Sequence, residues 1–396
     1  MPSQVQQIVI VGGGYAGVMA ANRVFGRLGR RARVTLISDR DDLVDRVRLH
    51  EVIAGRAWRR HPLARLVRRR VECVRARVVR VIAAARTVVV RDVAGDERPV
   101  QYDHLVYALG SRIALDVPGA SEHAGWLASL ETALVARERI AAMPVGLPVV
   151  VIGGGLTAIE TASEVAEARP ELRVVLIAGT LAPNLSDEAR AYIRSTLGDL
   201  AVELREGERA VRIEARAVIT ATGEWVPAAL AIWAGGFIAS CASESDLPLD
   251  AHGRVVTDAM LAVPGAPGVW ACGDGAAPPP GLEFARMACA TAMPMGAHVA
   301  DNVARAVREQ APRPWRFGLR GMCVSLGRRR AVVQATDARD APTGHVYTAR
   351  SAAMIKEAIC RYVIGSLRLE RRWAGAFFWL RSVSAAAPRA LPAGAS

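Results

Sequence analysis

Val9-Ile10-Val11-Gly12-Gly13-Gly14-Tyr15-Ala16-Gly17 and, about 140 residues later, Val150-Val151-Ile152-Gly153-Gly154-Gly155-Leu156-Thr157-Ala158 share one pattern. In each, an apolar run reads as a buried parallel strand, a glycine turn follows, and an amphipathic segment reads as a helix. Gly12, Gly14 and Gly17 fit GxGxxG; Gly153, Gly155 and Ala158 fit GxGxxA. A pyrophosphate needs backbone N–H donors at close range and a helix N-terminus aimed at it, and glycines remove the Cβ atoms that would block the approach. One such turn is a weak signal. Two, each in a βαβ setting, imply two dinucleotides brought face to face.

Outward from these turns, Arg33 to Ile37 and Arg173 to Ile177 read as the second strands of the two units. An acid about 20 residues past the glycines is expected there to bind ribose hydroxyls. In the first unit Asp39 falls one position late; in the second, Ala178-Gly179 offers neither an acid nor an arginine. NADH and NADPH therefore both stay open. Val269 to Asp274 is a further apolar strand whose terminal Gly273-Asp274 could meet a ribose or ribityl hydroxyl. The expected fold class is α/β. Two Rossmann-like domains are expected, the second inserted in the first, with a small C-terminal α+β region. The expected boundaries are 1–115 and 248–312, 116–247, and 313–396. In the last part a helix is read near Ser351 to Tyr362, ahead of an aromatic tail, and another is read from about Phe284 to Ala306, interrupted near Pro294.

Bulk composition sets limits. A hydrophobic share of 52% with 22% charged residues is globular and excludes a disordered chain. No apolar run reaches the ~18 residues that a spanning helix needs, and no basic-then-apolar leader precedes the first strand. The expectation is a cytoplasmic protein, free or peripheral on the inner face of a membrane. Net charge is +13, and Lys356 is the only lysine. The densest arginine run, Arg59 to Arg80, has few interleaved aromatics for base stacking, so a solvated basic face is preferred and nucleic acid is a poor fit. The six cysteines form no CxxC pair, so neither a local redox disulfide nor a zinc knuckle is encoded. Trp373-Ala374-Gly375-Ala376-Phe377-Phe378-Trp379-Leu380, flanked by Arg371, Arg372 and Arg381, could rest on a membrane, dock on its own domain or join a second copy in a homodimer.

Together with Tyr102 to Ser111, Val269 to Asp274 and Phe317 to Arg328, these features resemble the two-dinucleotide flavoproteins. Among them the resemblance is to the type II NADH dehydrogenase-like group, from Val5 to about Tyr362. It implies FAD at Gly12, Gly14, Tyr15, Ala16, Gly17, Asp39, Arg46, Ala108, Gly110, Gly273, Asp274, Met287 and Ala288. It implies NADH or NADPH at Gly153, Gly155 and Thr157, with Glu160 acting near the nicotinamide and Arg48 and His50 running past the flavin. The implied activity passes a hydride from NAD(P)H to FAD and then electrons to a quinone or other small acceptor. The glutamines that line the family's quinone site are replaced here by the methionine-rich Arg286 to Gly296, with helix N–H groups expected near Arg286. Two alternatives stay open. One is a specialised oxidase or reductase of secondary metabolism, with an organic substrate over Met287 to Met295. The other is a low-turnover flavin-binding redox sensor.

Overall fold

The computed structural model describes residues 5–127, 129–241 and 244–385. Two parallel five-stranded sheets carry the glycine turns. In the first, Gln6–Val11 lies between Ala32–Ser38 and His104–Tyr107, with Glu72–Arg75 and Val269–Ala271 outermost. In the second, Pro148–Ile152 lies between Arg173–Ala178 and Leu230–Trp233, with Glu203–Glu206 and Ala124–Trp126 outermost. The central strands are apolar without alternation because both faces are covered: Ile8 to Val11 and Val149 to Ile152 are all at most 4% exposed. Removing each such side chain from water is worth roughly 1.5–3 kcal/mol. Val269–Ala271 joins the first sheet only after the chain has passed through the second.

Three antiparallel three-stranded sheets complete the structure. They are Arg77–Ile82 with Thr87–Arg91 and Glu97–Gln101, Ala210–Glu214 with Ala217–Thr220 and Trp225–Pro227, and Gly321–Leu326 with Arg330–Thr336 and Pro342–Tyr347. The two Rossmann sheets are tied by a short ladder, Ser111–Ile113 against Phe237–Ala239.

Two helices differ from expectation. The C-terminal helix spans Ala349–Arg372. It outruns the expected segment because Val363, Ile364, Leu367 and Glu370 continue its buried face beyond Tyr362. The helix expected from Phe284 begins only at Cys289 and runs to Ala306, with Pro294 inside it. Residues 281–288 turn instead, and Arg286 is drawn away toward the C-terminal sheet: its guanidinium pairs with Asp340 at 3.1 Å and donates to Gly321 O at 2.7 Å.

The aromatic tail docks on its own chain. Arg23 is 1% exposed; it makes two hydrogen bonds to the buried Glu370 carboxylate and donates to Phe377 O at 2.6 Å. Trp379 Nε1 donates to Arg316 O, and Val383–Ser384 pairs with Arg316–Phe317.

Candidate functional site

The two glycine turns are built alike, atom for atom. Gly12 N donates to Ile37 O at 2.8 Å, and Gly153 N donates to Ile177 O at 2.9 Å. Gly12 has φ +111° and Gly153 φ +138°, which L side chains rarely adopt. A Cβ at Gly12 would stand 2.1 Å from Ala108 O, and one at Gly153 would stand 2.5 Å from Ala234 O. Ala108 is thus the backing of the first turn, its own N–H held by Val11 O. A Cβ on Gly17 would strike Gly12 O at 1.9 Å, so this glycine serves the closeness of helix and turn.

Gly14 and Gly155 behave differently. Each is the N-cap of its helix, Tyr15–Leu28 or Leu156–Ala168, in extended conformation and without a side-chain cap. A Cβ on either would meet nothing within 4 Å. Both helices thus begin at a glycine that borders open space, the setting in which a helix N-terminus can take an anion. Thr157 lies in the first turn of the second helix, its carbonyl accepting from Thr161 Oγ1.

The other expected residues around the first turn gather with less uniformity. Asp274 Oδ2 accepts from Ser111 Oγ at 2.7 Å, and Arg46 donates to Ser111 Oγ and O at 3.1 and 2.8 Å. Burial pushes the Asp274 carboxyl up, against the pull of Ser111 and Arg46. Gly110 and Gly273 both have positive φ, and Gly110 borders open space. Tyr15 OH donates to Asp45 Oδ1 at 2.7 Å. Ala16 is 5% exposed, and its carbonyl passes so near Gly296 that a Cβ there would sit 2.3 Å away. Ser38 is the strand-end side chain that faces the first turn; a Cβ on Gly13 would be 2.6 Å from its Oγ, while Asp39 is exposed one residue on.

Met287 and Ala288 precede the Cys289–Ala306 helix, and Ala288 is its N-cap. Thr291 Oγ1 in its first turn is buried without a partner among the described residues. Met293 and Met295 are only 3% and 1% exposed, packed in the core, with Ser366 Oγ 3.7 Å from Met293 Sδ.

Glu160 lies one turn beyond Thr157 on the second helix and is 7% exposed. Lys356 Nζ stands 2.9 Å from its Oε1 and His50 Nδ1 stands 3.4 Å from its Oε2. Ser325 donates to Oε1 from N at 3.1 Å and from Oγ at 3.2 Å, and its hydroxyl also contacts His50 Nε2. Burial would raise the Glu160 carboxyl, but the Lys356 charge, helped by the Ser325 N–H, outweighs it and holds it below its usual value. Burial lowers His50, so its ring is neutral at pH 7. For Lys356, the cost of burial is overcome by Glu160, and the ammonium is held firmly protonated. The family resemblance pointed to Glu160 but not to Lys356 or Ser325; the single lysine among so many arginines was the one available signal.

Cys289, Cys323 and Cys360 surround the same ammonium, and burial raises all three thiols, Cys289 to about 11 and Cys360 to about 12. They are protonated at neutral pH and free of disulfides. Arg48 pairs with Glu51 and Glu357, at 2.8 and 3.0 Å. A cleft of about 900 Å³ runs from Asp39 past Asp45 and Arg48 to Cys360, with Leu49, Trp58 and Ile364 among its walls.

Comparisons with known proteins agree with this geometry. An NADH dehydrogenase-like protein of Mycobacterium tuberculosis is 31% identical over 325 residues, 75% of this chain and 80% of that one. The oxidoreductase ptaL of Pestalotiopsis fici is 27% identical over 341 residues, covering 80% and 88%. The solved structure of NDH2 from Plasmodium falciparum in complex with NADH superposes with a TM-score of 0.78 at 14% identity, over 94% of this chain and 99% of that one. Residues 6–301 match the model of one family, and with the paired cradles in place the chain belongs to it: the pyridine nucleotide-disulphide oxidoreductases.

Proposed function

We propose that this chain is an FAD-dependent oxidoreductase that takes a hydride from NADH or NADPH and passes electrons to a small acceptor, with a quinone the first to test. The observation that carries the reading is the pair of uncapped helix N-termini at Gly14 and Gly155, opening on space in matching turns. The proposed partition follows the sheets: 1–115 with 248–312 around the first turn, 116–247 around the second, and 313–396 covering both. Gly12, Gly14 and Gly17 would receive the FAD pyrophosphate, with Asp274, held by Ser111, offered to its ribityl chain. Gly153, Gly155 and Thr157 would receive NAD(P)H.

When bound, the two cofactors supply the hydride chemistry. The chain's own residues position and protonate. The buried Glu160 carboxylate, anchored by Ser325 and Lys356, marks the second helix's inward face. Lys356 Nζ is a protonated donor, and the neutral His50 can receive a proton at a ring nitrogen. The cleft beside Asp45 and Cys360 would admit the acceptor, apolar at Leu49, Trp58 and Ile364 and cationic at Arg48 and Arg361. The C-terminal helix turns Met354, Ile355, Ile359 and Tyr362 outward, next to Arg361, a face suited to peripheral contact with an anionic bilayer. Met293 and Met295 are core, whereas Met287 and Ala288 are partly exposed ahead of the helix.

The test is anaerobic stopped-flow on the purified flavoprotein. Rapid bleaching by a nicotinamide dinucleotide followed by rapid reoxidation with menadione is the expected result. A flavin that neither NADH nor NADPH bleaches would refute the proposal.

A further inference from the structure

Ala178 ends the second strand of the second Rossmann unit, fully buried, and Gly179-Thr180 follows. This is where a Rossmann site meets the adenosine ribose. An acid here binds the 2′-hydroxyl of NADH, whereas an arginine nearby accepts the 2′-phosphate of NADPH. Neighbouring positions in sequence supply neither. Folding does. Arg209, just ahead of strand Ala210–Glu214, lays its side chain over Gly179: a Cβ built on Gly179 would lie 3.2 Å from both Cγ and Nε of Arg209. The absence of a side chain at Gly179 is what makes room for it.

The charges around this arginine are already matched with one another. Glu206, opposite Ala178 in the strand register, is bound by Arg194 through two hydrogen bonds of 2.7 and 2.9 Å. Arg205 pairs with Glu203 at 2.8 Å, with Glu224 at 2.6 Å and with Glu208 at 3.7 Å. Arg209 is exposed, and its side chain has no ion pair or hydrogen bond among the described residues. Its backbone is fixed, the carbonyl accepting from Ala221 N at 2.8 Å. The result is an unpaired guanidinium whose stem lies against Gly179, beside a strand whose own end carries no carboxylate and whose neighbour's Glu206 is already neutralised by Arg194. Thr180, the next residue after Gly179, is exposed.

We propose that Arg209 is the specificity-determining residue of the nucleotide site, clamping the 2′-phosphate of NADPH, and that the chain prefers NADPH to NADH. The proposal rests on the second glycine turn being the nicotinamide dinucleotide site. Guanidinium and phosphate form paired, charge-assisted hydrogen bonds. NADH would find no acid for its ribose hydroxyls, and so gains nothing in compensation.

The experiment compares the wild-type holoprotein with Arg209→Gln and Arg209→Lys. It measures kcat/KM for NADPH and NADH, and calorimetric binding of adenosine 2′,5′-bisphosphate and 5′-AMP. Wild type is expected to favour NADPH by about tenfold or more. Arg209→Gln should lower kcat/KM for NADPH by about 10- to 100-fold, the range a charge-assisted hydrogen bond sets, chiefly through KM. NADH should stay within about twofold, bisphosphate binding should weaken with NADPH, and Arg209→Lys should restore part of both. A wild-type preference for NADH, or equal losses for both nucleotides in Arg209→Gln, overturns the clamp and leaves the nicotinamide site standing. Failure of both nucleotides to reduce the flavin, with neither adenosine probe bound, overturns the nicotinamide site itself and the clamp with it.

Discussion

Replacing Lys356 with methionine isolates the ion pair at the centre of the candidate site. Nζ lies 2.9 Å from Glu160 Oε1, and the two side chains are only 14% and 9% exposed. At an effective dielectric constant of about 20 the attraction is about 6 kcal/mol before desolvation. Desolvation of both ions takes back much of that, but removing one partner leaves the other buried and unmatched, at a cost of about 3–5 kcal/mol. Lys356→Met keeps length and volume while deleting the charge, so it should destabilise the protein by about that amount. Glu160→Gln in the same background removes the stranded carboxylate, and the double variant should recover about 2–3 kcal/mol relative to additivity. Urea denaturation at pH 7, followed by far-UV circular dichroism, reads the cycle. The pH dependence offers a second check. In the wild type Glu160 is held below its usual value, so its stabilisation is present above the unfolded carboxyl pKa and fades as acid is added. In Lys356→Met burial dominates, the folded carboxyl rises, and stability at this residue should fall as pH increases. A coupling energy under about 0.5 kcal/mol, with the same pH slope in both proteins, would refute the account of the pair.

Two further outcomes are expected. Gly14→Ala should still fold, losing about 1 kcal/mol as a poorer N-cap while its methyl meets nothing within 4 Å, yet purify with little flavin because that methyl occupies the cradle; full flavin content in the folded variant would exclude the turn as the FAD site. Glu164 is buried, with its carboxyl raised to about 7 despite Arg328 at 3.5 Å and Arg56 at 3.6 Å. The folded protein thus holds this proton better than the unfolded chain, whose value is 4.5, so stability falls as pH climbs between the two. Glu164→Gln should remove that fall, about 3 kcal/mol in all, and flatten Tm between pH 5 and 8; an unaltered Tm profile would count against the raised value.

The sequence by itself determined the two glycine turns with their strands and helices. These are legible because they are local: a turn that needs positive φ at Gly12 and Gly153, and a run with both faces buried, leave their mark in adjacent residues. The sequence also placed Glu160 on the correct helix, though not whether it faced solvent. Burial there depends on Ser325 and Lys356, which reach it from the C-terminal sheet and helix far along the chain. Arg209 was invisible for the same reason, since it reaches Gly179 from a separate strand. The aromatic tail reaches its own domain at Phe377 through Arg23 and Glu370, charges that composition cannot pair, while Trp373 and Phe378 stay exposed. Periodicity records which side of an element is apolar. Which charge meets which is decided only when distant elements close on one another and water is excluded between them, and there the tertiary structure alone chose the partners.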